Sequence, residues 1–380
     1  MDLICFSHLR WNFVFQRPQH LLSRFSKSKR VFFIEEPIFI NASTNELIIE
    51  KSKIHPNIFV VIPYLNKDQN SEEKTHTLKC LIDSLLKSEK ISSYITWYYS
   101  PMAQAFSSHL KPTLMVYDCM DELSAFKNAP IELKNLENEL LKKADLVFTG
   151  GVSLYNAKKN LHNYTYCFPS SIDKEHFESA RKIDIDAEDQ KFIPHPRLGF
   201  FGVIDERFNI ELINEISLLR PDIQIILIGP VVKIDPASLP IKNNIHYLGP
   251  KNYSELPSYL ATWDIAILPF EKNESTQFIS PTKTPEYLAG GKPVISTSIN
   301  DVVNPYGING LVHIADNASD FIKAINKILE SDNPSLRLKE VDAFLADNSW
   351  DNTWRNMNEL IEEKLKLKLP SENTKTPLYV

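Results

Sequence analysis

The sequence of 380 residues predicts an α/β protein built as two parallel-sheet domains of similar size. Three observations lead there. Short apolar runs rich in Val, Ile, Phe and Tyr alternate with segments of helical periodicity along the whole chain, the pattern of strand–helix–strand units. The runs fall into two series, separated by Asp184–Pro196, a polar, charged and proline-containing stretch of linker character. At roughly 150 residues per domain, the length also suits two units.

The first series of predicted strands is Leu3–Phe6, Val31–Ile34, Phe59–Ile62, Tyr94–Tyr98, Leu114–Tyr117 and Leu146–Thr149. Between them, Leu78, Leu81, Ile82, Leu85 and Leu86 recur at helical spacing, as do Leu133, Leu136, Leu140 and Leu141. The second series is Leu198–Phe201, Ile223–Ile228, Ile245–Leu248, Ile265–Leu268, Val294–Ser296 and Leu311–Ile314. No sequence repeat relates the two halves, so the expectation is two Rossmann-like domains facing each other, spanning 1–170 and 171–349. From residue 350 onward Trp350, Trp354, Met357, Leu360, Ile361 and Leu365 make one apolar face of a long final helix, and Pro370–Val380 read as a frayed tail.

A hydrophobic content of 43% and a charged content of 24% are those of a soluble globular protein. No apolar run approaches the length of a membrane span, and Leu3–Phe6 is too short for a signal peptide. The four cysteines (Cys5, Cys80, Cys119, Cys167) are widely spaced, with no C-x-x-C pair, and read as reduced thiols of a cytoplasmic protein. Residues 1–170 hold 20 Lys and Arg against 17 Asp and Glu, whereas residues 171–380 hold 22 against 31. This balance lacks the concentrated basic face of a nucleic-acid-binding protein. The small positive excess of the first half is compatible with anionic lipid or a phosphate-bearing acceptor, which leaves a peripheral contact with the inner membrane open.

Several chemistries lack their motif. A dinucleotide oxidoreductase needs G-x-G-x-x-G after its first strand, because the pyrophosphate must approach the backbone there, and no such string occurs. Gly290-Gly291-Lys292 is followed by Pro293 and not by Ser or Thr, so it is no phosphate-binding P-loop. H-E-x-x-H and G-x-S-x-G are absent as well.

The richest stretch is Phe278–Ser296. Thr284 suits an N-cap and Pro285 the first helical position; Gly290-Gly291 ends the helix and Pro293 opens a buried strand. Helix starts favour acids, so a lysine at Lys283 suggests a bound anion such as a diphosphate. Glu286 follows in the first turn. The string Glu286-Tyr287-Leu288-Ala289-Gly290-Gly291-Lys292-Pro293-Val294-Ile295 resembles the nucleotide-sugar signature of GT-B glycosyltransferases. The resemblance is to bacterial surface-polysaccharide transferases of the teichuronic acid type, similar to family 4, and covers most of residues 1–365.

What the resemblance implies is GT-B architecture, with a cleft between the domains and the final helix crossing back to the first. Glu286 would hold the donor ribose, with Ser280, Thr282, Lys283 and Thr284 around it. Many family-4 retaining enzymes carry an acid eight positions earlier. Phe278 stands there, so that acid's sugar contacts and the stereochemical outcome do not carry over. In Gly199–Arg207, Gly202 and Arg207 match in kind the glycine and basic side chain that approach the diphosphate. Gly249 and Tyr253 resemble the loop bordering the base, with Phe270 on the following strand, although aromatics beside turns commonly pack. Phe168–Phe177 stands in place of the family's hinge string.

The first half offers two more clusters. After the first strand, His8, Arg10, Trp11, Gln16, Arg17 and His20 fall within one loop and helix start, the place of the acceptor side in this fold; Trp11 and Phe13 also suit lid packing. Glu35-Glu36 ends the second strand as a loop cap or an acceptor-cleft group. Asp118, Asp121 and Glu122 follow another strand, where ligands of open α/β sheets gather. Asp118 or Asp121 suits the general base of an inverting transfer, or else a helix cap or a partner of Arg10 or Arg17.

The expected activity is transfer of a sugar from a nucleoside diphosphate donor to a glycan or lipid-linked acceptor in cell-surface polysaccharide synthesis. The catalytic candidates are Asp118, Asp121, Arg207 and Lys283, with no metal, no cofactor and no nucleic-acid partner. A nucleotide-sugar epimerase of the same fold and a non-catalytic partner in an assembly complex are the alternatives.

Overall fold

The computed structural model describes residues 1–41, 44–330 and 334–368. The segment Pro370–Val380, read above as a tail, lies outside the described residues.

Residues of the first half form one sheet from β1 (Asp2–Phe6), β2 (Val31–Ile34), β3 (Ile38–Ile40), β4 (Glu46–Lys51), β5 (Ile58–Asn66), β6 (Tyr94–Tyr98), β7 (Leu114–Cys119), β8 (Leu146–Thr149) and β9 (Thr165–Cys167). The order is β3-β5-β2-β1-β6-β7-β8-β9, all parallel, and β4 pairs antiparallel with β5. The second sheet holds β10 (Arg197–Phe201), β11 (Gln224–Ile228), β12 (Ile245–Gly249), β13 (Ile265–Leu268), β14 (Val294–Ser296) and β15 (Val312–Ile314), in the parallel order β12-β11-β10-β13-β14-β15. Central strands such as Val31–Ile34 and Ile265–Leu268 are buried at every position because helices cover both faces.

All twelve predicted strands are present. Three others were not predicted: β3, β4 and β9. Glu46–Lys51 is largely exposed and carries charges at Glu46, Glu50 and Lys51, so the apolar signal of an inner strand is missing from it. β3 and β9 have three residues each, none of them buried.

The final helix, Trp350–Lys368, leaves the second domain and packs on the first. Trp350, Met357, Ile361 and Leu365 enter the core that holds Leu3, Phe25 and Trp97. Full burial of such side chains stabilises by about 1.5–3 kcal/mol each. Arg24 donates to Asp351 at 2.9 Å and Lys368 to Asp145 at 2.6 Å, holding the two ends. Asp301 makes a further inter-domain contact by accepting from Val152 N at 2.7 Å and Ser153 N at 3.0 Å, which satisfies the start of the helix Val152–Lys158. Among the described residues no helix is long and apolar enough to cross a membrane.

Candidate active site

The site is built at the carboxyl ends of the second sheet. Where β10 ends, Gly202 adopts φ +148, and where β11 ends, Gly229 adopts φ +142. Both conformations suit glycine, and the space requires it too. A Cβ on Gly202 would lie 2.1 Å from Cε of Lys283, and one on Gly229 would lie 1.9 Å from the Gly202 carbonyl oxygen. The Lys283 side chain therefore runs directly across the end of β10, with its ammonium 5.8 Å from the centre of the Phe200 ring. Gly249 ends β12 at φ +68, its amide-side neighbour Gly229 donating to the Gly249 carbonyl at 3.0 Å.

Lys283 opens the helix Lys283–Ala289, two residues earlier than the Thr284-Pro285 signal suggests. Thr282 is the cap residue, already at helical φ/ψ and with no side-chain cap bond, because the turn begins at Pro281: its carbonyl accepts from Thr284 N at 3.2 Å. Thr284 is thus no cap; it is fully buried one position into the helix, and its hydroxyl has no partner among the described residues. The helix has seven residues, so the positive character at this point comes mainly from side chains.

Glu286 is buried on the same turn. Burial raises its carboxyl above the usual range, opposed by Lys283 and assisted by Asp173. Burial pushes the Lys283 ammonium down; Glu286 opposes this, Arg207 adds to it, and Asp205 and Asp121 oppose it. Lys283 thus lies within electrostatic reach of Glu286, Arg207 and Asp205 and of Asp121 of the first domain. Arg207 is held by Asp205 through Nη2–Oδ2 at 2.7 Å and Nε–Oδ1 at 3.0 Å. Its guanidinium lies 5.3 Å from the centre of the Phe126 ring of the first domain, and Lys233 approaches the same ring at 5.5 Å. Lys127 N donates to Glu206 at 3.1 Å beside them, so this loop touches both domains.

Two residues expected at the donor are engaged elsewhere. Ser280 lies at the hinge: its carbonyl accepts from the Ser170 hydroxyl, and a Cβ on Gly151 would lie 2.9 Å from its own Cβ. Tyr253 is stacked between Phe15 at 4.7 Å and His176 at 4.4 Å, so neither ring face is open to a base. His176 Nε2 lies 2.9 Å from the Tyr253 carbonyl, and the buried Tyr253 hydroxyl has no partner among the described residues.

Across the cleft, the three carboxylates at and after the end of β7 separate by environment. Asp118 is fully buried and bound by Arg17 at two edges, Nη2–Oδ1 2.8 Å and Nε–Oδ2 3.0 Å, while Arg17 Nη1 donates to the Phe168 carbonyl at 2.8 Å. A carboxylate so held ties β7, the helix Arg17–Phe25 and the hinge together, so that of the expected alternatives for Asp118 the structure shows the ion pair with Arg17. Glu122 pairs with Lys158 at 2.6 Å. Asp121 remains, half-buried, its carboxyl raised by burial and faced by Arg207, Asp205, Arg17 and Lys233.

The loop after β1 divides in the same way. Arg10 donates to Glu35 Oε2 at 2.8 Å and to the Glu36 carbonyl at 2.6 Å, and Trp11 N donates to Glu35 Oε1 at 2.8 Å. Trp11 itself is buried against Phe33, and Gln16 N donates to Gln19 Oε1 at 3.0 Å at the start of the next helix. His20 is buried, stacked on Trp350 at 4.7 Å. These contacts, the one at Gln16 through its backbone, hold the loop and its helix in shape. His8 differs: its Nδ1 is buried with no partner among the described residues, and burial together with Lys233 pushes the ring down to about 4. It is a neutral imidazole at the cleft.

Sequence reasoning missed Lys233, Phe126 and Asp205. Lys233 follows β11 much as Arg207 follows β10, and position after a carboxyl strand end was the available signal. Nothing local marks Phe126, whose role arises only when the domains meet.

The chain was compared with known proteins. Residues 195–331 match the family described as Glycosyl transferases group 1. Over 311 residues, 74% of this chain and 75% of the relative, it is 27% identical to a protein of Bacillus subtilis (strain 168) provisionally named teichuronic acid biosynthesis glycosyltransferase TuaH. A sucrose-phosphate synthase from Thermosynechococcus elongatus is similar in structure, with a TM-score of 0.72 at 14% identity, covering 96% of this chain and 99% of that one. HepE of Anabaena, solved with UDP and glucose, gives 0.67 at 14% identity over 95% and 99%. An E. coli trehalose-6-phosphate protein, solved with UDP-2-fluoro glucose, gives 0.66 at 12% identity over 96% and 99%. The chain has the GT-B fold, and its residues 195–331 are similar to the glycosyl transferases of group 1.

Proposed function

We propose that the second domain holds a nucleoside diphosphate sugar at the ends of β10–β14, and that its glycosyl group passes to a hydroxyl of a glycan or lipid-linked acceptor on the first domain. The observation that carries this reading is the convergence of half-buried Lys283 and Arg207 with buried Glu286 at that sheet edge, with Asp121 of the first domain nearby. In this reading the Glu286 carboxylate accepts from the ribose hydroxyls. Lys283 and Arg207 face the diphosphate, and Gly202 lets it approach the backbone. The bond between the anomeric carbon and the phosphate oxygen breaks, a bond to the acceptor oxygen forms, and the two cations stabilise the charge that grows on the departing diphosphate. The acceptor proton goes to Asp121, the one carboxylate of the three not bound in an ion pair. A raised carboxyl is the better proton acceptor.

The TuaH relative is named for teichuronic acid biosynthesis, which supports a surface polysaccharide as the product. Within this proposal the enzyme acts in the cytoplasm, where the acceptor is presented at the membrane face. A thermal-shift panel of nucleoside diphosphates and nucleotide sugars tests the donor site. At a hundredfold excess over Kd, binding adds about 2.7 kcal/mol, on the order of 5 °C in Tm. Glu286→Ala should lose that shift. A full shift in the variant would sink the ribose assignment.

A further inference from the structure

A second cavity lies away from the cleft, at the amino-terminal edge of the second sheet, where Gly291–Pro293 lead into β14. Its volume is about 150 Å³. Three cationic side chains and a histidine, from four separate segments, line it: Lys292 from the turn before β14, His313 from β15, Lys327 from the helix Ala318–Leu329 and Arg337 from the helix Pro334–Phe344. Among the described residues no aspartate or glutamate lines it. The remaining wall is apolar, with Leu288 and Ile328 on opposite elements.

We propose that this cavity binds a small phosphate-bearing anion. Lys292 Nζ donates to the Ala261 carbonyl at 2.6 Å and Arg337 Nη2 to the Leu311 carbonyl at 2.9 Å. These neutral acceptors orient the two side chains and leave their charge uncompensated. Acids act only from outside the cavity. Asp264 influences Lys292, Glu340 influences Arg337, and Asp342 is ion-paired with Arg181 at 2.7 Å. Burial lowers His313, with Arg337 and Lys327 adding to the effect, as expected for cations that face one another. Lys292 and Arg337 are half-buried, where like charges are costly unless a counter-charge joins them, and a planar guanidinium beside an ammonium suits the oxygens of a phosphate. The volume favours a single phosphate group or a small phosphorylated molecule over a nucleotide. The cavity shares the Lys283–Ala289 helix with the cleft, through Leu288, yet none of its cations faces the cleft.

The test is calorimetric titration of the full chain with inorganic phosphate and, separately, with a hexose monophosphate. Lys283→Ala removes one of the cations of the cleft; Lys327→Gln removes an exposed cation of the cavity without disturbing the core, whereas Arg337→Gln risks the fold. Saturable binding that survives Lys283→Ala and weakens about tenfold or more in Lys327→Gln supports the site. Equal affinities for the two probes support recognition of the phosphate alone. Tighter binding of the sugar phosphate supports a contribution from the apolar wall. Absence of saturable binding, or binding lost in Lys283→Ala and untouched in Lys327→Gln, would overturn it.

Discussion

Replacing Gly202 by alanine bears on the donor site through one atom. The new Cβ would lie 2.1 Å from Cε and 2.8 Å from Nζ of Lys283, and the backbone there sits at φ +148. The strained conformation alone costs about 1–3 kcal/mol of stability. The clash is with the far end of a flexible side chain, so the fold survives and Lys283 swings aside. Its departure removes a charge-assisted contact to the diphosphate, worth about 1.5–3 kcal/mol, or roughly 10- to 150-fold in nucleotide affinity. Calorimetry with the preferred nucleoside diphosphate measures this, and a melt measures the strain. In a Lys283→Ala background the same glycine substitution should leave the affinity nearly unchanged, because the cation it displaces is already gone. Losses that simply add in the double variant would refute the reasoning, since they would mean that Gly202 and Lys283 act on the ligand independently.

Asp118→Ala should destabilise the protein by about 3–5 kcal/mol, since it leaves Arg17 buried without its partner, while nucleotide affinity stays at the parental value; chemical denaturation and titration read the two effects. Because the Glu286 carboxyl is raised in the folded state, the native protein holds more protons than the unfolded chain above the ordinary value of 4.5. Stability from this group therefore falls as pH rises from 4.5 through its folded value, and melts of Glu286→Gln should show a shallower decline over that window. Lys283 acts in the opposite sense. Its folded value is lowered, so its contribution to stability rises with pH from that value up to 10.5.

The strand framework was legible because burial on both faces writes itself as an unbroken apolar run: Val31–Ile34, Tyr94–Tyr98 and Ile265–Leu268 appear where those runs lie. The edge strand Glu46–Lys51 was not, since partial exposure permits charges and removes the signal. That Lys283 and Glu286 stand together at the start of one helix was legible from the string that holds them. Its exact cap was misplaced because Thr284-Pro285 is a good local start that the earlier turn at Pro281 pre-empts. Long-range partners were only partly accessible. A contact of Asp118 with Arg10 or Arg17 was among the options, but 101 residues separate Asp118 from Arg17, and residue types alone do not choose between an ion pair and a catalytic base. Tyr253 failed for a related reason: stacking between Phe15 and His176 requires both domains and the hinge to be in place.

Comparing a nucleoside, its monophosphate and its diphosphate as ligands of the parent chain and of Lys283→Ala tests the central claim most directly. If Lys283 faces the diphosphate, the parent binds the diphosphate far more tightly than the monophosphate, and this advantage collapses in the variant while nucleoside affinity holds. An advantage of unchanged size in Lys283→Ala would contradict the account.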